Sequence, residues 1–219
     1  PKETYTRQLL SVRTLREVKN GHSADKSPIL EVENVSASYI EGTNVLEDIS
    51  LKIPRRKTIA VVGESGSGKS TLARVITGLL PPFEGRVVFD GQEMSPALKS
   101  RGREGLRRMQ MIYQMPDTAL NPKQKIRMII GRPLQFYFGM SAKESEKRIL
   151  ELLDRTELPA SYIERHPTEL SGGEKQRVCI ARALAANPDL IICDEVTSAL
   201  DQLVAEGILK LLQDLQNDL

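Results

Sequence analysis

The chain has 219 residues, 40% hydrophobic and 27% charged, enough for one good-sized domain with a real core. Its net charge of +2 is too small to argue for nucleic acid or an anionic membrane surface, and with 4% aromatics and no Trp it lacks stacking platforms for single strands. No apolar run approaches the ~20 residues that a spanning helix needs, and no signal peptide opens the sequence, so the expectation is a cytoplasmic chain.

Residues 1–28 differ in character from the rest of the chain. A short helix is expected over residues 5–12, then a polar, turn-rich linker, KNGHSADKSP, over residues 19–28. The globular part is expected from Ile29. ILEVENVSASY and VLEDISLKI show interrupted alternation, with Ile49, Leu51 and Ile53 on one face and a turn-like EGTN between the two segments. That pattern predicts an antiparallel pair.

TIAVV (58–62) reads as a buried strand. Gly63, Glu64, Ser65, Gly66, Ser67, Gly68, Lys69, Ser70 and Thr71 follow in the pattern G-x-x-x-x-G-K-[ST], and Leu72, Val75, Ile76 and Leu79 recur with a helical period. Strand, glycine-rich loop and helix are the parts of a phosphate-binding loop. Its backbone N–H groups converge on an anion at the positive end of a helix. Lys69 is expected to reach the β- and γ-phosphates and Ser70 to offer its hydroxyl to Mg²⁺.

Pro81 and Pro82 enforce a helix stop, and RVVFDGQ (86–92) predicts another strand ending in an Asp-Gly turn. Lys99, Arg101, Arg103, Arg107 and Arg108 form a basic run, expected to be a solvated loop or helix face. MQMIYQ (109–114) predicts a strand ending at Gln114. Residues 115–170 predict a helical lobe, with Ile149, Leu152 and Leu153 on one helix face.

Within residues 170–201, Ser171 is placed to cap a helix, and Gly172 and Gly173 would leave its first N–H groups open to an anion. LIIC then reads as a continuous apolar strand ending in Asp194 and Glu195. Asp194 stands where a P-loop enzyme needs a second metal-holding acid, and Glu195 could polarise a water for attack on the γ-phosphate. Cys179 and Cys193 fall in segments read as a core helix and a core strand, and are expected to be small buried hydrophobes.

Together these segments resemble the ATP-binding cassette (ABC) family. GESGSGKST matches Walker A, Gln114 the Q-loop, LSGGEKQ the signature, LIICDE Walker B and SALD the D-loop. The resemblance covers about residues 29–219 and implies an α/β fold of the P-loop NTPase class. That fold has a RecA-like core with a mainly parallel sheet, an antiparallel β-subdomain and a helical subdomain at about 115–170. The resemblance also implies two nucleotide domains sandwiching two ATP molecules, so that Walker A of one faces Ser171, Gly172 and Gly173 of the other, with Asp201 communicating across the interface. Tyr39 matches the aromatic that stacks on adenine, and Ser70, Asp194 and Gln114 would hold Mg²⁺. Lys69 and Gln114 would join Glu195 as catalytic residues.

A finer resemblance is to the oligopeptide and dipeptide importer branch. It is carried by GESGSGKSTLARVITGLLPPFEGRV and by ALNP after Gln114, although QMPDTALNP keeps Asp117 and lacks the branch's aromatic. The implied role is the ATPase subunit of a peptide importer, held on the cytoplasmic face of the membrane by transmembrane permease subunits. A soluble ABC ATPase switching on DNA or ribosomes is the alternative; a P-loop kinase or GTPase fails on LSGGEKQ. The opening YTRQLL resembles the tail of a preceding nucleotide domain, as in a tandem fusion. The family's switch histidine has no counterpart here: His22 lies in the linker and His166 in a predicted loop. A C-terminally incomplete domain is therefore expected to bind ATP, hydrolyse it poorly and expose apolar surface.

Overall fold

The computed structural model describes residues 27–40, 42–197 and 200–218. The helix and linker expected before residue 27 lie outside the described residues. Strands β1 (Pro28–Ile40) and β2 (Thr43–Pro54) pair antiparallel, with Leu30 opposite Ile53 and Val35 opposite Ile49. β3 (Glu84–Phe89) lies on the other side of β1 and turns back into β4 (Gln92–Glu93), giving the order β2-β1-β3-β4. Asp90 and Gly91 both have positive φ, 53° and 74°, as a two-residue hairpin of right-handed twist demands.

The buried side chains Leu30, Val32, Val35, Val87 and Phe89 meet Leu72, Val75 and Ile76 of helix α1 (Lys69–Thr77). The helix is shorter than its apolar period predicts. Gly78 turns left-handed (φ 79°) and the Leu79 N–H reaches back to the Arg74 carbonyl at 2.8 Å. Leu79 consequently leaves the helix and is 43% exposed.

A second core joins the helices to a parallel pair, β5 (Met109–Ile112) and β6 (Leu190–Cys193). After the short helices α2 (Arg103–Arg108) and α3 (Pro116–Ala119) come α4 (Ile126–Phe138), α5 (Ala142–Arg155), α6 (Gly172–Leu184) and α7 (Gln202–Asp218). Ile112, Ile130, Leu134, Ile149, Leu152, Leu153, Val178, Ile180 and Ile208 interlock at its centre.

The structure differs from the sequence reading in three further places. Residues 58–62 are not a buried strand: Ile59, Val61 and Val62 are 47%, 51% and 91% exposed. A strand exists only through its ladder partners. Among the described residues β6 pairs with β5, and no strand lies against residues 58–62. The parallel layer is therefore two-stranded there. Second, Cys179 is buried, but Cys193, which ends β6, keeps exposed surface, even though surrounding protein pushes its thiol, like that of Cys179, up to about 11.

Third, the basic run is not simply solvated. Arg101 is buried and donates to the Ile76 carbonyl (2.6 Å) at the end of α1 and to the Ser95 carbonyl (2.8 Å). Arg107 donates to the carbonyls of Ala186 (3.1 Å) and Asn187 (2.5 Å), just past α6. Arg108 joins Asp90 and Asp189, each at 2.5 Å, while Arg55 also pairs with Asp90. Through Asp90 at the β3–β4 turn and Asp189 just before β6, Arg108 fastens the antiparallel sheet to the parallel pair.

Hydrogen bonds from Arg108 and then Arg55 hold the Asp90 carboxyl below its ordinary range. A depressed folded-state value stabilises above the unfolded value of ~4 and is lost as pH falls through the folded one. Asp90→Asn keeps a residue that tolerates the left-handed turn. It should cost about 2 kcal/mol at pH 7, and the loss should shrink as pH falls below ~4. Urea unfolding at several pH values checks this; a loss independent of pH would contradict it.

Candidate functional site

The loop before α1 gathers its polar groups by local geometry. Gly68 has φ 93°, and a Cβ there would lie 2.8 Å from Leu46 Cδ2 and 3.1 Å from the Val45 carbonyl, so glycine alone fits. Its carbonyl accepts the Leu72 N–H at 2.8 Å, and no acidic residue sits in the first turn of α1 to cancel the positive helix end. Lys69 curls into the loop and donates to the carbonyls of Gly63 (3.0 Å) and Glu64 (2.6 Å).

Distant segments converge on this loop. Ser70 Oγ donates to Asp194 Oδ1 at 2.7 Å, joining α1 to the end of β6. Gln114, just after β5, donates through Nε2 to Glu195 Oε2 at 2.8 Å. Glu195 itself has φ 46°. A carboxylate in the left-handed region carries backbone strain of a kind that clusters at functional sites. Ser65, Gly66, Gly68, Lys69, Ser70, Thr71, Gln114 and Glu195 line one cleft. Its chemistry is a cation, a positive helix end and three hydroxyls beside the Glu195 carboxylate, with a second carboxylate, Asp194, bonded to Ser70.

The remaining predicted residues lie elsewhere. Tyr39 stands beside α1, its hydroxyl 3.4 Å from Thr71 Oγ1 and accepting from Arg74 Nη1 at 3.0 Å. Ser171, Gly172 and Gly173 do not line the cleft; they begin α6. Ser171 caps that helix in a capping box with Glu174, whose Oε2 accepts the Ser171 N–H at 2.7 Å. Ser171 and Gly172 are exposed. Gly173 has a packing demand of its own, since a Cβ there would meet Val204 Cγ1 of α7 at 2.5 Å. Asp201 accepts the Val204 N–H at 3.1 Å and so starts α7; Ser198 and Ala199 of the D-loop segment lie outside the described residues. His166 is in a loop, capping the turn Pro167–Glu169.

Two features near the site escaped sequence reading. Lys175 of α6 pairs with Asp117 at 2.6 Å, and Arg182 donates to the Ala119 carbonyl at 2.6 Å, tying the segment after Gln114 to the signature helix. Lone charges far apart in sequence carry no signal of pairing. Arg74 is the second case, since a helix-surface arginine reads as solvated.

The ABC transporter family matches residues 46–198, well over half of the chain. Relatives from Brucella abortus named for peptide import are 42% identical over 175 residues, 80% of this chain and 52% of their own length. The chain thus spans about half the length of these curated relatives. The oligopeptide transport ATP-binding protein AppF of Bacillus subtilis is 35% identical over 90% of the chain and 63% of its own length. The nickel import ATP-binding protein NikE of Brucella suis is 44% identical over 80% of the chain and 65% of its own length. Among solved structures, the ATP-binding cassette MJ0796, a dimer in a post-hydrolysis state bound to ADP and Pi, superposes with a TM-score of 0.76 at 33% identity, covering 86% of this chain and 83% of that one. CbiO1 of Clostridium perfringens, part of an ABC transporter complex, gives 0.75 at 30% identity, covering 89% and 76% respectively. With its α/β P-loop architecture and a match spanning the loop, Gln114, the signature and both acids, the chain belongs to the ABC transporter family.

Proposed function

We propose that this chain is the ATP-binding and ATP-hydrolysing part of a membrane importer whose cargo is peptides. The observation that carries the ATPase reading is the convergence of Lys69, Ser70, Gln114 and Glu195 on one cleft, with Asp194 held against Ser70. The loop N–H groups and Lys69 bind the phosphates, with phosphate oxygens taking over from the Gly63 and Glu64 carbonyls that the ammonium now contacts. Glu195, oriented by the Gln114 amide, accepts the proton of the attacking water.

Among the described residues no group of three or more His, Cys, Asp or Glu could hold a metal ion. The Ser70 hydroxyl and Asp194 carboxylate nevertheless fit Mg²⁺, which is held by one or two carboxylates and completes its shell with other oxygens, phosphate and water. Gln114 would add its amide oxygen. When bound, the ion neutralises charge on the β- and γ-phosphates.

A second copy of the domain, or a tandem neighbour, presents its Ser171, Gly172 and Gly173 to the γ-phosphate and its Asp201 to the interface. The exposed Ser171 and Gly172 at a capped helix N-terminus support that reading, as does the dimeric MJ0796 structure. Among the described residues no helix is long and apolar enough to cross a membrane. Attachment at the cytoplasmic face is through transmembrane permease subunits. Peptide cargo is supported by the importer relatives; the NikE likeness makes nickel the second reading. Uptake of labelled oligopeptides and of nickel ions into vesicles carrying the full transporter separates them.

Lys69→Ala in the full-length protein is expected to weaken ATP binding at least tenfold, since charge-assisted bonds to phosphate contribute about 1.5–3 kcal/mol. Its unfolding midpoint should barely move, because among the described residues the side chain donates only to two exposed loop carbonyls. Titration calorimetry with ATP checks this, and unchanged affinity would reject the phosphate site.

A further inference from the structure

We propose that Arg74 is a positioning residue for the nucleobase, holding the Tyr39 ring by its hydroxyl from one side so that the other ring face stays open to the base. The inference rests on the reading of Tyr39 as the base-stacking residue. Tyr39 lies near the end of β1 and is 51% exposed, so the apolar core does not fix its ring. What fixes it is polar. Its hydroxyl lies between Thr71 Oγ1 at 3.4 Å and Arg74 Nη1 at 3.0 Å, both on α1.

The guanidinium lies over one side of the ring, at the far limit of cation–π range. Its carbon is 5.8 Å from the Tyr39 centroid, against 4.0 Å for Arg165 lying over Tyr162 in the same chain. A guanidinium kept to one side and bonded to the hydroxyl leaves the opposite face to a flat base. Among the described residues Arg74 has no carboxylate partner drawing it away.

The consequence is a rigid ruler. Lys69 and Ser70 at the start of α1 are read as the phosphate-binding residues, and Arg74 on the same helix sets the ring. Base and phosphates are then held at a distance set by one helix. Such preorganisation raises affinity by cutting the ordering cost of the aromatic. It acts on the base and leaves the phosphate contacts alone.

The test compares Mg-ATP with Mg-tripolyphosphate, which lacks base and ribose, by titration calorimetry on the full-length protein. Arg74→Ala should weaken ATP about fivefold, the equivalent of ~1 kcal/mol, and leave tripolyphosphate within twofold. Tyr39→Phe keeps the ring and loses the hydroxyl, so it should reproduce that loss. The double variant should be no weaker than either single one, because both remove the same bond. Arg74→Lys, which can still donate, should recover most of the affinity. Equal weakening of both ligands by Arg74→Ala would show a charge acting on the phosphates and overturn the proposal, as would unchanged ATP affinity. Tyr39→Ala addresses the underlying reading: if it spares the ATP-to-tripolyphosphate ratio, stacking itself fails. If it lowers that ratio while Arg74→Ala and Tyr39→Phe do not, only the positioning role fails.

Discussion

Glu195→Gln is expected to lower ATP turnover by the full-length protein at least ~100-fold, the low end of what a positioned general base contributes, while ATP affinity stays within a few-fold. The substitution isolates the base. A glutamine at 195 keeps an oxygen to accept from Gln114 Nε2, now 2.8 Å from Glu195 Oε2, so the strained turn at φ 46° keeps its partner. The Ser70–Asp194 contact lies on the neighbouring residue and is untouched. Blocked hydrolysis with intact binding should also accumulate an ATP-bound pair of nucleotide domains, visible as an ATP-dependent shift in light scattering. Wild-type turnover would remove Glu195 from the base role. Blocked turnover without any pairing would leave the base role standing and count against the sandwich.

The parts of this site legible in the sequence are those whose demands are local. A glycine held at φ 93°, a lysine following it and a hydroxyl next in line must be contiguous, because one turn of α1 presents them all. Ser171 announced a helix start for the same reason: its capping partner Glu174 is three residues away. Asp194 and Glu195 could be read from one strand end, and the structure brings Ser70 to the first and Gln114 to the second.

What sequence reading missed depends on partners. Residues 58–62 have every mark of a buried strand, yet β-branched composition says only that a segment suits a ladder, not that a neighbour is there. Charge runs mislead in the opposite direction. Arg101, Arg107 and Arg108 resemble a solvated face until Ile76, Ala186, Asp90 and Asp189 are brought against them by the fold. Arg74 belongs with these: its target, the Tyr39 hydroxyl, lies 35 residues away.

Gly68→Ala should cost about 2–5 kcal/mol of stability and, in the fraction that still folds, weaken ATP binding at least tenfold. Two penalties add. An L-residue in the left-handed region costs roughly 1–2 kcal/mol, and overpacking a filled site costs roughly 1–3 more. The second is firm here because the added methyl would sit 2.8 Å from Leu46 Cδ2 and 3.1 Å from the Val45 carbonyl. Leu46 is itself buried in the sheet core, and the carbonyl belongs to β2, so neither can simply swing away. Relief must come from the loop moving out, and that displaces Lys69 and the N–H groups at the start of α1 from any phosphate they serve. Gly66 offers the contrasting case on the same loop: it also has positive φ, 81°, but a Cβ there meets nothing within 4 Å. Gly66→Ala should therefore show the conformational penalty alone, about 1–2 kcal/mol. Urea midpoints and ATP titrations on both variants separate backbone strain from collision. If Gly68→Ala were no worse than Gly66→Ala, the close packing of β2 against the loop would not be what holds the loop in shape.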